Sequence, residues 1–164
     1  GIDPSLFFDD DGRAWYCGNR PPPEGPSYWG EMEIWLQELD LETMQLTGPK
    51  HSLWDSALKG NRHAEAPHIY KVDGIYYLMV AEAGTEHNHA VTIARSETIA
   101  GPYEGNPRNP ILTHRHLGLD YPIVGTGHAD LERLGPVRRP LGSPAVRLRP
   151  MRLRAQGRDH RPVR

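Results

Sequence analysis

The chain has 164 residues, of which 37% are hydrophobic and 24% charged, enough for one domain with a modest core. Its 17 glycines and 16 prolines argue against a long helical bundle, and no run of 18 apolar residues could form a membrane-spanning helix. The single cysteine, Cys17, excludes an internal disulfide. The net charge of -2 conceals a split, because residues 1–130 carry 9 Lys and Arg against 19 Asp and Glu, whereas residues 131–164 carry 10 Arg against 2 acids.

Short β-strands joined by tight turns are predicted up to about residue 130. Residues 5–8 and 14–17 flank an Asp-Gly turn at 9–12, and residues 68–71 and 75–80 flank a second at 72–74, as in β-hairpins. Residues 34–40 and 90–95 are further strands. The segment between Leu39 and Leu46 is predicted to be a turn joining two strands, because Gly48-Pro49 would end a helix there. The acidic run at 9–12 lacks the spacing of a calcium-binding loop, which also favours a turn.

Polar residues recur at a long, regular interval. Asp3 opens the first hairpin, Glu65 opens the second 62 residues later, and His128 follows 63 residues after that. A repeat of this length, built from short strands, indicates a β-propeller. The innermost strands of a propeller line its axis, so we expect these three side chains to form three walls of one pocket.

Two facing carboxylates suit hydrolysis by acid–base catalysis. An ionised neighbour raises the pKa of the second carboxyl and keeps it protonated for donation to a leaving group, as glycosidases require. Taken singly, Asp3 and Glu65 are more often polar residues at strand ends, and His128 is more often a hydrogen-bonded structural histidine. The repeat is what favours a shared site.

Six segments in chain order carry a family resemblance. They are Asp3-Pro4-Ser5-Leu6-Phe7-Phe8-Asp9-Asp10-Asp11-Gly12, Ile34-Trp35-Leu36-Gln37-Glu38-Leu39-Asp40, Glu65-Ala66-Pro67-His68-Ile69-Tyr70-Lys71, His89-Ala90-Val91-Thr92-Ile93-Ala94-Arg95-Ser96, Gly101-Pro102-Tyr103-Glu104 and Thr126-Gly127-His128-Ala129-Asp130-Leu131. Together they closely resemble glycoside hydrolase family 43, on its β-xylosidase and α-L-arabinofuranosidase side. The resemblance implies an all-β, five-bladed β-propeller, with about two blades and the start of a third in residues 1–131. It also implies hydrolysis with inversion at the anomeric carbon.

The resemblance assigns roles to the three repeat positions. Glu65 matches the general acid that protonates the glycosidic oxygen, and Asp3 matches the acid that tunes and orients it. His128 matches an axial histidine of the pocket, which in many members helps to hold a calcium ion or its waters. No other cofactor is implied. The family's general base belongs to a preceding blade, and no motif in this sequence matches it.

Three further residues are candidates for binding the substrate. Glu82 and His89 lie in an Ala-Glu-x-Gly-Thr…His-Ala stretch that resembles the family's pocket-facing segment, where they would bind sugar hydroxyls. Trp29, in a loop rich in proline and glycine, is a candidate platform for a sugar ring. The expected substrates are xylo-oligosaccharides or arabinosyl side chains.

The predicted function is therefore that of a fragment of an inverting glycoside hydrolase, inactive alone because the general-base blade is missing. The alternative is a non-catalytic remnant that binds carbohydrate. Residues 132–164 form a separate tail, rich in arginine and proline and free of aromatic residues. We expect this tail to be disordered or irregular and to come from a non-native reading frame. A basic nucleic-acid-binding arm is the other interpretation, but no aromatic residues are interleaved to stack on bases, so neither a nucleic acid nor a membrane is the predicted partner.

Overall fold

The computed structural model describes residues 1–57, 60–133 and 151–159, and these residues form an all-β structure. Their strands are β1 (Ser5–Phe8), β2 (Ala14–Arg20), β3 (Glu33–Asp40), β4 (Gln45–Trp54), β5 (Glu65–Val72), β6 (Ile75–Glu82), β7 (Ala90–Ser96), β8 (Glu104–Gly105), β9 (Leu112–Thr113), β10 (Ile123–Arg133) and β11 (Met151–Asp159). Nowhere in these three ranges is there a helix with the length and apolar character needed to cross a membrane.

The first sheet is an antiparallel meander in the order β1-β2-β3-β4. Its first hairpin closes over the acidic turn, where the Gly12 amide donates to the Asp9 carbonyl at 3.1 Å. The turn between β3 and β4 lies where the sequence predicts it, with Leu39 paired to Leu46. Both turn predictions are confirmed.

The second sheet repeats this meander in the order β5-β6-β7-β8, with β9 pairing with a second part of β7. Asp73 and Gly74 join β5 to β6 with φ of 51° and 83°. Positive φ at both central residues is the type I′ turn, whose twist matches that of the flanking strands. Val72 pairs with Ile75 across it, as the hairpin prediction requires.

A third sheet begins with the long strand β10, which pairs antiparallel with β11. Within the tail expected to be irregular, residues 151–159 therefore form a strand, and the expectation is corrected for these nine residues. The correction has a simple cause, because β10 presents an edge of unpaired amides and carbonyls that any extended segment can satisfy. The prediction for residues 134–150 and 160–164 lies outside the described residues.

The core lies between the sheets. The larger cluster fills the space between the first and second sheets and comprises Trp15, Cys17, Ile34, Leu36, Leu53, Ala64, Ile69, Tyr76, Leu78, Val80 and Ile99. A smaller cluster of Met79, Val91 and Ala129, flanked by Tyr70, Leu112 and Leu131, packs β10 against the second sheet. Because alternate residues of a strand face opposite sides, each sheet can bury one face against each neighbour.

A buried ion pair also links the first two sheets. The Asp9 carboxylate, at the end of β1, accepts hydrogen bonds from Lys71 Nζ and Tyr76 Oη, each at 2.6 Å. Burial raises the pKa of Asp9, but these two donors and the amide of Asp10 outweigh it, so the net pKa lies below its ordinary value. The ionised carboxylate thus fastens the first hairpin turn to the β5–β6 hairpin.

The first strands of the three sheets lie side by side. Ser5 Oγ, on β1, donates to the Pro67 carbonyl of β5 at 2.6 Å. Tyr70 Oη, on β5, donates to Asp130 and accepts from the Leu131 amide, both on β10. This radial arrangement of meanders confirms the predicted partial propeller of about two blades and the start of a third.

Candidate active site

Each of the three inner strands, β1, β5 and β10, has a residue of unusual backbone conformation within it or shortly before it. Asp3, Ala66 and His128 have φ of 49°, 48° and 44°, in the left-handed region that residues other than glycine seldom adopt. By backbone conformation, the residue of the second blade that corresponds to Asp3 is Ala66. Glu65 therefore lies one residue before the position that corresponds to Asp3, whereas the 62-residue spacing makes Glu65 itself that position. Strain of this kind persists where the surrounding structure enforces it, often at functional sites.

The structure brings Asp3 and His128 together. Asp3 Oδ2 lies 3.9 Å from His128 Nδ1, although the two residues are far apart in the chain. Both side chains are partly exposed, so each contacts solvent as well as lying near the other. Asp3 and His128 both act electrostatically on the half-buried Glu65, so both lie within electrostatic range of its carboxyl.

The surroundings of Glu65 favour its protonated form. Burial raises the pKa of its carboxyl above the ordinary 4.5, and the negative charge of Asp3 acts in the same direction. His63 and His128 act in the opposite direction without cancelling these effects. A carboxyl whose pKa is raised in this way is better suited than an ordinary one to be a proton donor.

His68 extends this group of residues on the same inner strand as Glu65. Its ring centroid lies 6.3 Å from that of His128. Burial lowers the pKa of His68, and Asp130 partly opposes that effect. His68 belongs to the Glu-x-Pro-His segment, but sequence reasoning gave it no role. The left-handed residue between Glu65 and His68 shifts the strand register there, and no local signal announces such a shift.

Glu82 occupies a different place from the one its prediction requires. Its side chain is 1% exposed, and its carboxylate accepts from Trp54 Nε1, the Ala57 amide, Asn61 Nδ2 and Thr92 Oγ1 at 2.6–3.1 Å, and from Ser56 Oγ at 3.3 Å. A carboxylate whose lone pairs are already used by protein donors has little left to offer sugar hydroxyls. The prediction that Glu82 binds sugar does not fit this placement, and the residue instead fixes the segment that follows β4.

His89 is also inside the fold, with 3% of its surface exposed. Its Nδ1 lies 3.0 Å from the Gly125 carbonyl, and its ring rests on Gly127, where a methyl group would sit 2.3 Å from His89 Cδ2. The structure thus places His89 in the contact between β7 and β10. The prediction that His89 binds sugar hydroxyls requires an exposed side chain, whereas the side chain of His89 is buried.

Trp29 stands at the surface with 71% of its area exposed. Its indole meets the ring of His63 edge to face at a centroid distance of 5.3 Å, and the Arg62 guanidinium lies 4.7 Å from the indole centroid. His63 is only two residues before Glu65, so the Trp29 loop reaches the neighbourhood of the candidate acid. Sequence reasoning gave His63 no role, and it lies before β5 with a left-handed φ of 53°, so strand alternation does not reveal it.

The residues around His128 can be compared with what calcium needs. Calcium takes six to eight oxygen ligands, whereas His128 offers nitrogen and Asp3 contributes one nearby carboxylate. Within the described part of the chain, no three His, Cys, Asp or Glu side chains are grouped to hold a metal. These residues do not by themselves form a calcium site.

Comparisons with known proteins agree with this fold. The model of glycosyl hydrolases family 43 matches residues 1–134. A xylosidase/arabinosidase from Butyrivibrio fibrisolvens is 59% identical over 131 residues, covering 80% of this chain and 25% of that protein. Xylosidase/arabinosidase 43B from Humicola insolens is 43% identical over 142 residues, and the match covers 82% of this chain and 23% of that protein.

Among solved structures, a GH43_12 protein retrieved from a capybara gut metagenome superposes with a TM-score of 0.75 at 44% identity. The match covers 80% of this chain and 25% of that one. The chain therefore spans about a quarter of the length of the relatives that it matches.

Proposed function

The chain belongs to glycoside hydrolase family 43, and on that premise we propose that it forms part of an inverting glycosidase with Glu65 as the general acid. The observation that carries the proposal is the 3.9 Å approach of Asp3 to His128, together with the electrostatic effect of both residues on the half-buried Glu65. The half-buried Glu65 is the proton donor to the glycosidic oxygen. Asp3 supplies the negative charge that keeps this proton in place.

The substrate class follows from the relatives. They include proteins named xylosidase/arabinosidase and one named non-reducing end α-L-arabinofuranosidase. We therefore propose xylo-oligosaccharides or arabinosyl side chains as substrates, with Trp29 as a stacking surface for a sugar ring. We also propose that His128, whose Nδ1 lies 3.9 Å from Asp3 Oδ2, is a pocket residue.

Inversion also needs a base that activates water on the far face of the sugar. No residue of this chain matches the family's base, so we expect the 164 residues alone to hydrolyse nitrophenyl β-xyloside or α-L-arabinofuranoside weakly.

Azide is a small anion that attacks the anomeric carbon without needing a base. As it bonds to that carbon, the bond to the nitrophenolate breaks, so a β-xyloside gives α-xylosyl azide through inversion.

The test compares xylobiose cleavage by the wild-type chain with Glu65→Gln, in the presence of azide. The leaving group of xylobiose is a poor one, so its departure depends on protonation of the glycosidic oxygen by Glu65. We therefore expect the variant to cleave xylobiose more slowly by about 100-fold or more. The exposed Glu86→Gln is the matched control and should keep the wild-type rate. Equal rates for wild type and Glu65→Gln would contradict the assignment of the acid. Xylobiose binding measured by calorimetry, with no turnover under any condition, would favour the non-catalytic alternative.

A further inference from the structure

His63 has a left-handed backbone conformation, which residues other than glycine seldom adopt. Its φ is 53°, and its amide donates to the Gly30 carbonyl at 2.8 Å. A residue other than glycine remains in this region only when its surroundings enforce it, and such positions concentrate at functional sites. The hydrogen bond ties the segment before Glu65 to the loop that carries Trp29.

Two glycines shape the space around the His63 ring. A methyl group on Gly30 would lie 3.1 Å from His63 Cε1, and one on Gly84 would lie 3.3 Å from His63 Cδ2. Both separations are tighter than ordinary carbon contacts, so any side chain at either position would crowd the imidazole. The backbone on both sides therefore leaves just enough room for this ring.

The indole of Trp29 lies against the exposed side of this ring. The two ring planes are nearly perpendicular, at 89°, and their centroids are 5.3 Å apart. Edge-to-face pairs at this separation are attractive because the positive edge of one ring meets the negative face of the other. Arg62 lies over the indole as well, so Trp29 is held from two directions although most of its surface is in solvent.

Glu65 follows His63 closely in the chain. The two residues are separated only by Ala64, and the charge of His63 acts on the Glu65 carboxyl in opposition to Asp3. His63 thus contacts the exposed indole of Trp29 and lies two residues before the candidate proton donor. Neither Trp29 nor Glu65 needs to contact the other for their positions to be linked.

We propose that His63 is a positioning residue that fixes the Trp29 indole relative to the Glu65 carboxyl. The inference rests on the proposed function, in which Trp29 stacks on a sugar ring while Glu65 protonates its glycosidic oxygen. His63 itself touches neither the sugar nor the reacting atoms. It acts by removing the freedom of a loop whose aromatic side chain would otherwise move independently of the acid.

The test uses His63→Asn in the full chain, because asparagine tolerates the left-handed region and removes the ring. The four tryptophans give four indole N–H signals in a nitrogen–proton correlation spectrum, and we expect the Trp29 signal to move in this variant. The matched control is His51→Asn, which removes a histidine that pairs edge to face with Trp15 at 6.4 Å. It should leave the Trp29 signal in place.

Xylobiose binding then asks whether His63 acts through Trp29. We expect His63→Asn and Trp29→Ala each to weaken binding by about 5-fold. The double variant should be no weaker than Trp29→Ala alone, because the two residues form one unit. An unmoved Trp29 signal, or effects that multiply in the double variant, would overturn the role of His63. Failure of the wild-type chain to bind xylobiose would count against the proposed function instead, and the Trp29 signal would still decide the role of His63.

Discussion

We expect Glu82→Ala to lower the free energy of unfolding by about 4 kcal/mol. The substitution leaves buried hydrogen-bond donors from the first sheet, from the second sheet and from the segment between them without an acceptor. The carboxylate accepts from Trp54 at the end of β4, from Ala57 and Asn61 in the following segment and from Thr92 on β7. A loss of this size approaches the whole stability of a small domain. Urea denaturation followed by circular dichroism measures it.

Glutamine at the same position keeps the shape and one acceptor oxygen, but turns a donor group toward other donors. We expect Glu82→Gln to lose about half as much as Glu82→Ala. The control is Glu86→Ala, at an exposed carboxylate four residues along, which should change stability by less than about 0.5 kcal/mol. A free energy of unfolding for Glu82→Ala within about 1 kcal/mol of the wild-type value would equal roughly the net contribution of a single hydrogen bond. That result would show that the carboxylate does not hold these elements together.

A methyl group at Gly127 costs about 3 kcal/mol, since no space exists for it. The new carbon would lie 2.3, 2.4 and 2.5 Å from Cδ2, Nε2 and Cε1 of His89. Because His89 is buried, and its Nδ1 faces the Gly125 carbonyl, the ring cannot swing aside without losing contacts. The strain falls on β10 next to His128, so we expect Gly127→Ala to weaken xylobiose binding as well. Thermal unfolding and calorimetry measure the two effects.

The same clash predicts strong coupling between the two positions. Removing the ring with His89→Ala leaves room for the methyl group, so the double variant should be more stable than the sum of the single effects allows. Strictly additive losses would show that Gly127 and His89 are not in contact.

The hairpins of this fold can be predicted from sequence because their signals are local. Asp73-Gly74 requires positive φ at both turn residues, and alternating apolar residues on each side define the strands. The turn between Leu39 and Leu46 is equally local, since Gly48-Pro49 rules out a continuing helix. The 62- and 63-residue repeat then predicts the radial arrangement that brings Asp3 and His128 within 3.9 Å of each other.

The interior of the site follows from contacts that no spacing encodes. Glu82 and His89 lie in a stretch that resembles a pocket-facing segment. The Glu82 carboxylate nevertheless accepts hydrogen bonds from β4, from the segment after it and from β7. Likewise, the left-handed Ala66 moves Glu65 out of strict equivalence with Asp3. Pairing of β11 with β10 depends on an open strand edge rather than on any motif in the tail.

The titration of the Glu65 carboxyl carbon by nuclear magnetic resonance tests the shared site most directly. We predict a pKa above 4.5 in the wild-type chain, because burial and the Asp3 charge both raise it. In Asp3→Asn the carboxyl loses its negative neighbour, so its pKa should fall, whereas Asp120→Asn, at an exposed acid elsewhere, should leave it unchanged. A Glu65 that titrates at 4.5 or below, with no response to Asp3→Asn, would contradict the convergence of these strands on one catalytic acid.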